Sequence, residues 1–286
     1  MTGNWEAYWR LMRFDRPIGI LLLLWPTWWA LLWAGNGRPS AANMAIFTAG
    51  VIVMRAAGCV MNDIADRKID PHVARTRARP LAAGELQTRD ALITFGILLT
   101  IAFVLVLQTN LLTVMLAFAG AALAATYPFF KRFTDWPQVI LGMAFGWGIP
   151  MAFAAETGQV PIAAWVLFAV NIIWAIIYDT LYAMVDREDD LKIGVKSTAI
   201  LFGSHDRWIL GVLMVAMIAV LVGLGSWQAL TWPWFAGLAA AALLFARQQW
   251  MIHKREGAAC FAAFLNNNWV GLMILLGAAG HFLLAG

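Results

Sequence analysis

Charge is scarce in this chain. Only 13% of its 286 residues are Asp, Glu, Lys or Arg, about half the share found in an average soluble domain. Hydrophobic residues make up 62%, and the mean hydropathy is +0.73. Such a composition argues against a water-soluble fold, which could not cover so much apolar surface. Cysteine is nearly absent: Cys59 and Cys260 stand in apolar stretches outside any CxxC pattern, so neither a disulfide framework nor a thiolate metal site is expected. The net charge of +4 comes with no dense basic run interleaved with aromatics, so nucleic acid is not an expected partner. The first 15 or so residues contain no apolar core ahead of a small-residue cleavage site, and a cleaved signal is not expected.

Aromatic and apolar residues take the place of charge. Sixteen Trp and seventeen Phe suit a chain whose indoles rest at the headgroup level. Trp5, Trp9, Trp25, Trp28, Trp29, Trp136, Trp147, Trp208, Trp232 and Trp234 fall near the ends of apolar runs. A membrane-crossing helix needs about 20 mostly apolar residues. Nine segments fit: 17–34, 43–65, 91–107, 111–130, 136–154, 161–185, 208–226, 231–247 and 265–284. Gln108, Thr109 and Asn110 divide the stretch 91–130 into two of them. With a cytoplasmic N-terminus, 18 of the 20 Lys and Arg residues fall on the cytoplasmic side, leaving Arg38 outside and Arg55 within the second span. One missed span would flip every later loop, so this sorting supports the count. The expectation is an all-α integral membrane protein in a lipid bilayer, one domain over 1–286. Charged cytosolic loops follow spans two and six, at about 66–90 and 186–207.

Both loops start from aspartate-rich helix ends. Asn62, Asp66 and Asp70 are spaced i, i+4 and i+8, one stripe if the helix continues past the membrane edge. Asp179, Tyr182, Asp186 and Asp190 follow i, i+3, i+7 and i+11, a second stripe. Ionised acids at this depth repel one another and lose hydration, so cations must offset them. Mg²⁺ fits, because it takes oxygen donors and is usually held by one or two carboxylates together with substrate phosphates. Arg67, Arg75, Arg79, Lys131, Lys192 and Lys196 would neutralise the remaining phosphate charge. Asp63, Asp90, Glu188 and Asp189 lie off the stripes or in mid-loop and read as solvated acids balanced by neighbouring cations. Arg55 and Asp179 lie a turn or more inside apolar sequence, where a charge without a purpose is expensive. A buried structural ion pair is the plainer alternative for both.

The same residues carry a resemblance. NDIADRKID and YAMVDREDDLKIGVKSTAILFG resemble the two signature motifs of the UbiA superfamily of intramembrane prenyltransferases. RFDRPIGILLLLWPTWWAL, RAAGCVMNDIADR, RTRARPLAAG, YPFFKR and FLNNNWVGL extend the resemblance over most of the chain. It implies nine transmembrane helices around a central cavity, capped by the two cytosolic loops, in the inner membrane. The implied activity is Mg²⁺-dependent transfer of a prenyl group from polyprenyl diphosphate to a ring carbon of 4-hydroxybenzoate, in ubiquinone biosynthesis.

Carried over residue by residue, the resemblance makes Asn62, Asp66, Asp70, Asp186 and Asp190 ligands of Mg²⁺ and diphosphate. Arg75 and Arg79 become diphosphate contacts, and Tyr127 and Lys131 a pair near the departing group. Arg55 and Arg132 are both candidates for the acceptor carboxylate; Arg55 is preferred because an arginine inside a span needs a reason. Asp179, about two turns deeper than Asp186, is the candidate to take the phenolic proton of the acceptor. Homogentisate, a naphthoate or haem are alternative acceptors. An ion-coupled transporter is the competing class, against which stands the gathering of the acids at one face rather than at the midplane. Asn266, Asn267 and Asn268 would be costly facing lipid and are expected to turn inward onto neighbouring helices.

Overall fold

The computed structural model describes residues 3–72, 76–130 and 132–285. Among the described residues there is no strand. The helices are α1 (Gly3–Leu11), α2 (Ile18–Ala34), α3 (Ala41–Asp66), α4 (Thr88–Val106), α5 (Leu111–Phe130), α6 (Pro137–Gly146), α7 (Gly148–Thr157), α8 (Ile162–Ile193), α9 (Thr198–Phe202), α10 (Asp206–Trp227), α11 (Trp232–Met251) and α12 (Gly257–Ala285). Seven helical stretches among the described residues are long and apolar enough to cross a membrane: α3, α4, α5, α6 with α7, α8, α9 with α10, and α12. α2 is apolar but shorter, and α11 carries the polar run Arg247-Gln248-Gln249 near its end.

The 136–154 segment is not one straight helix. It breaks at Trp147 between α6 and α7, because Pro150 has no N–H to offer the Gly146 carbonyl and its ring crowds that oxygen. Glycines beside the break let α8 approach closely. A Cβ on Gly146 would lie 2.4 Å from Asn171 Nδ2, and that amide donates to the Gly142 carbonyl at 3.1 Å.

α3 and α8 end differently. α8 overruns its expected apolar stretch by two turns, stopping only where Gly194 takes a left-handed conformation, so Asp186 and Asp190 both stand on regular helix. α3 stops at Asp66. The expected continuation of the first stripe as a helix to Asp70 is therefore corrected.

Lipid tails supply little hydrophobic drive for helices to associate, so close packing and interhelical hydrogen bonds hold such a bundle together. Trp29, Trp174 and Trp234 are fully buried in the main core, which joins α2, α7, α8, α10, α11 and α12. Trp174 Nε1 donates to Asn267 Oδ1 at 2.9 Å, Trp25 Nε1 to Asn268 Oδ1 at 2.9 Å and Gln248 Nε2 to Asn266 Oδ1 at 3.1 Å. All three asparagines thus turn inward. Trp25, Trp28, Trp29 and Trp234 are not headgroup anchors, because their indole N–H groups are bonded inside the bundle. Trp5, Trp208 and Trp232 remain exposed. A smaller core of Ala7, Leu11, Ala56, Val60 and Leu98 packs α1 against α3 and α4, which sets Arg10 and Arg13 beside the aspartate end of α3.

Candidate active site

α3 and α8 deliver their acidic ends to one cavity of about 390 Å³. Asn62, Asp66, Asp70, Arg79, Tyr127, Asp179, Tyr182, Asp186, Asp190, Lys196 and Arg55 all line it. On α8 this follows from helical phase. On the α3 side the chain turns after Asp66, and Asp70 opens a short 3-10 turn, Asp70–His72. The loop nevertheless returns Asp70 to the cavity: Ile69 N donates to the Asp66 carbonyl at 2.7 Å, Thr76 Oγ1 to the Asp70 carbonyl at 3.1 Å and Arg79 Nη1 to Asp70 Oδ2 at 2.9 Å. Burial holds the Asp70 carboxyl above the usual carboxylate range, with Arg79 acting in the opposite direction.

Asp63 corrects the reading of a solvated acid. It is 1% exposed and accepts two hydrogen bonds from Arg13 Nη2, at 2.8 and 3.0 Å, while Arg79 Nη1 stands at 3.2 Å. Its helical phase turns it toward α1 and the returning loop. Arg79 thereby bridges Asp63 and Asp70, so the acid off the stripe anchors a cation on it.

The basic residues divide. Arg75 and Lys131 lie outside the described residues. Lys192 does not line the cavity; it is exposed and paired with Asp189 at 3.3 Å, about 200° around the helix from Asp190. Lys196 does line it and stands 3.3 Å from Asp135. Arg132 and Arg67 serve the end of α3 instead, donating to the carbonyls of Ala65 at 2.7 Å and Ile64 at 2.8 Å, two of the four carbonyls a helix end leaves unsatisfied. Arg55 has no ion pair among the described residues. Its guanidinium carbon lies 5.5 Å from the centre of the Phe145 ring, so the alternative of a structural pair with Asp179 is not realised.

Beside Tyr182, which the second stripe marks, further aromatic residues wall the cavity. Tyr182 packs on Phe264 at 4.9 Å and Phe261 at 6.2 Å between ring centres, and Tyr178 on Trp174 at 5.5 Å. The buried Tyr178 hydroxyl has no hydrogen-bond partner among the described residues. Arg55, Tyr127 and Phe145 also line a second chamber of about 340 Å³, walled by apolar residues that include Met54, Leu99, Val106, Ala121 and Met151. These three side chains form a wall shared by a polar chamber and an apolar one.

Behind the cavity, Asp206 fixes α8. Its fully buried carboxylate meets Arg187 at 2.5 Å and Arg255 at 2.8 Å and accepts the Arg207 backbone N–H at 2.6 Å. The stretch before α12 and the start of α10 are so tied to the residue next to Asp186.

The donors at the cavity are oxygen atoms, which suits a hard divalent cation. Among the described residues no three His, Cys, Asp or Glu side chains come together to enclose an ion unaided. A cation held here would share its coordination with an anionic ligand, as is usual for Mg²⁺ at phosphate sites.

Comparison with known proteins agrees with this architecture. The UbiA prenyltransferase family matches residues 23–275. The 4-hydroxybenzoate octaprenyltransferase of Methylococcus capsulatus is 58% identical over 281 residues, covering 98% of this chain and 96% of its own. The protein of that name from Enterobacter sp. is 56% identical, covering 96% and 94%. A UbiA homolog from Aeropyrum pernix K1 superposes with a TM-score of 0.79 at 23% identity, covering 90% of this chain and 96% of that one. A UbiA homolog from Archaeoglobus fulgidus bound to GPP and Mg²⁺ gives 0.70 at 18%, covering 95% and 98%. With the family match running through nearly every span and relatives this similar over their whole length, the chain belongs to the UbiA prenyltransferase family.

Proposed function

We propose that this chain transfers a polyprenyl group from polyprenyl diphosphate to the ring carbon of 4-hydroxybenzoate ortho to its hydroxyl, releasing diphosphate, in ubiquinone biosynthesis. The observation that carries the reading is the pair of chambers: an aspartate-lined cavity meets an apolar one across Arg55, Tyr127 and Phe145. A diphosphate head fits the first and its hydrocarbon tail the second. The names of the relatives supply the acceptor.

Asn62, Asp66, Asp70, Asp186 and Asp190 are the residues that would hold Mg²⁺ together with the diphosphate. When bound, Mg²⁺ neutralises charge that develops on the leaving group. Arg79, already fixed by Asp63 and Asp70, and Lys196 add fixed positive charge near the same group. Arg75 and Lys131 are assigned to it from the family motif. Tyr182, Phe264 and Phe145 present ring faces that shield an allylic cation from water and attract it through their quadrupoles. Arg55 holds the acceptor carboxylate, a role favoured over Arg132 because Arg132 is bonded to a helix-end carbonyl. Asp179, on the stripe beneath Asp186, takes the phenolic proton and raises electron density at the attacking carbon.

The chain acts as one unit in the cytoplasmic (inner) membrane with nine crossings and this cavity on the cytoplasmic side, a reading supported by the sorting of Lys and Arg. Membranes containing the protein should convert labelled 4-hydroxybenzoate and polyprenyl diphosphate to a lipophilic product only with Mg²⁺. Uptake of the label without covalent change would overturn the assignment.

A further inference from the structure

Arg55 is a long, flexible cation with no carboxylate pairing it among the described residues. A slot between two helices fixes it instead. One jaw is the Phe145 ring, 5.5 Å from the guanidinium carbon. The other is bare backbone of α2: a Cβ on Gly19 would stand 2.3 Å from Arg55 Nε, 2.5 Å from Nη2 and 2.7 Å from Cζ. Gly19 is buried within regular helix and is not among the positive-φ glycines. The backbone of α2 therefore does not require glycine there. What the missing methyl group provides is the surface on which the guanidinium lies.

We infer that Gly19 is a positioning residue for Arg55: by lacking a Cβ it seats the guanidinium between α2 and Phe145, at the wall between the chambers, and so sets where the acceptor carboxylate binds. The inference rests on the reading of Arg55 as the carboxylate ligand. Alanine at position 19 presses on the far end of a flexible side chain rather than on backbone, so the bundle accommodates it and the guanidinium moves. Reaching ordinary contact requires a displacement of about 1 Å, and misplacement of that size at a reacting site costs up to about a hundredfold.

The test is Gly19→Ala measured against Arg55→Ala and the double variant in membranes supplied with Mg²⁺. The KM for each substrate is read separately, and 4-hydroxybenzoate binding is measured directly where turnover is lost. The expected result is an acceptor KM raised about tenfold or more in Gly19→Ala. The polyprenyl diphosphate KM stays within about twofold, and Gly19→Ala adds no further effect in the Arg55→Ala background. If Arg55→Ala weakens acceptor binding and Gly19→Ala does not, the positioning role is overturned while the reading of Arg55 stands. If Arg55→Ala leaves acceptor binding unchanged, the reading of Arg55 itself falls. Should Gly19→Ala not accumulate in folded form, Phe145→Leu opens the other jaw, and only acceptor binding is read in it, because Phe145 also faces the allylic cation and its loss lowers turnover by that separate route. The same weakening of acceptor binding, again absent on the Arg55→Ala background, supports the slot, and a fully additive effect overturns it.

Discussion

The two aspartate-bearing helix ends that share the cavity are held in place by different means. At the α3 end the acids are buried and tied to arginines: Asp63 and Asp70 share Arg79, and Arg13 closes on Asp63 from the turn after α1. At the α8 end Asp186 and Asp190 are only half-buried and are placed by an unbroken helix, which Asp206 braces from behind through Arg187. One motif is positioned by its charges and the other by its backbone. The charge-held end can therefore be dismantled by removing a cation, whereas the backbone-held end yields only to loss of its brace.

The largest effect expected is one that both ends share. Asp66→Ala and Asp186→Ala should each lower turnover by at least about a hundredfold, and EDTA should do the same reversibly, with Mg²⁺ restoring activity. Near-normal turnover in either variant would break the claim that the two ends serve one site. The next contrast separates them. Arg79→Ala leaves two buried carboxylates short of a cation and should cost roughly 3 kcal/mol of stability, seen as a lowered melting temperature in detergent. Asp206→Asn removes the charged acceptor of Arg187 and Arg255, which are themselves partly exposed. Its cost should be smaller, about 2 kcal/mol, together with reduced turnover from a looser α8. Equal losses would erase the distinction between charge-held and backbone-held ends. Smallest of all, Lys192→Ala should change stability by no more than about 0.5 kcal/mol and leave turnover unaltered, because its side chain is 72% exposed and bonded, among the described residues, to Asp189 alone.

The same contrast explains what could be read from the sequence. The α8 stripe was legible because a helix converts spacing into direction, and Asp179, Tyr182, Asp186 and Asp190 all reach the cavity. That rule also disqualifies Lys192, whose phase lies off the stripe. The α3 end was legible only as far as Asp66. Asp70 arrives through a loop whose course depends on Arg79 and Thr76, and the partner of Asp63 lies 50 residues away, a pairing that no local pattern encodes. The segment 136–154 reads as one apolar span, and nothing in its pattern shows that a break at Trp147 would seat α6 against Asn171. Phe261 carried no mark at all, and Phe264 was marked only as the first residue of FLNNNWVGL, since an aromatic residue in an apolar helix looks the same whether it faces lipid or a cavity.

At 32 residues, α8 is about 48 Å long, well beyond the roughly 30 Å hydrocarbon slab. A single stiff rod thus carries Trp174 in the buried core and Asp190 at the polar cavity. It contains no internal proline to act as a hinge. Its tilt is set by the helices packed along it, and tilt about the middle of a rod moves both tips together. The carboxylates at one tip are in this way mechanically coupled to the helices packed along the rod, so a change of packing around Trp174 would shift their spacing from α3.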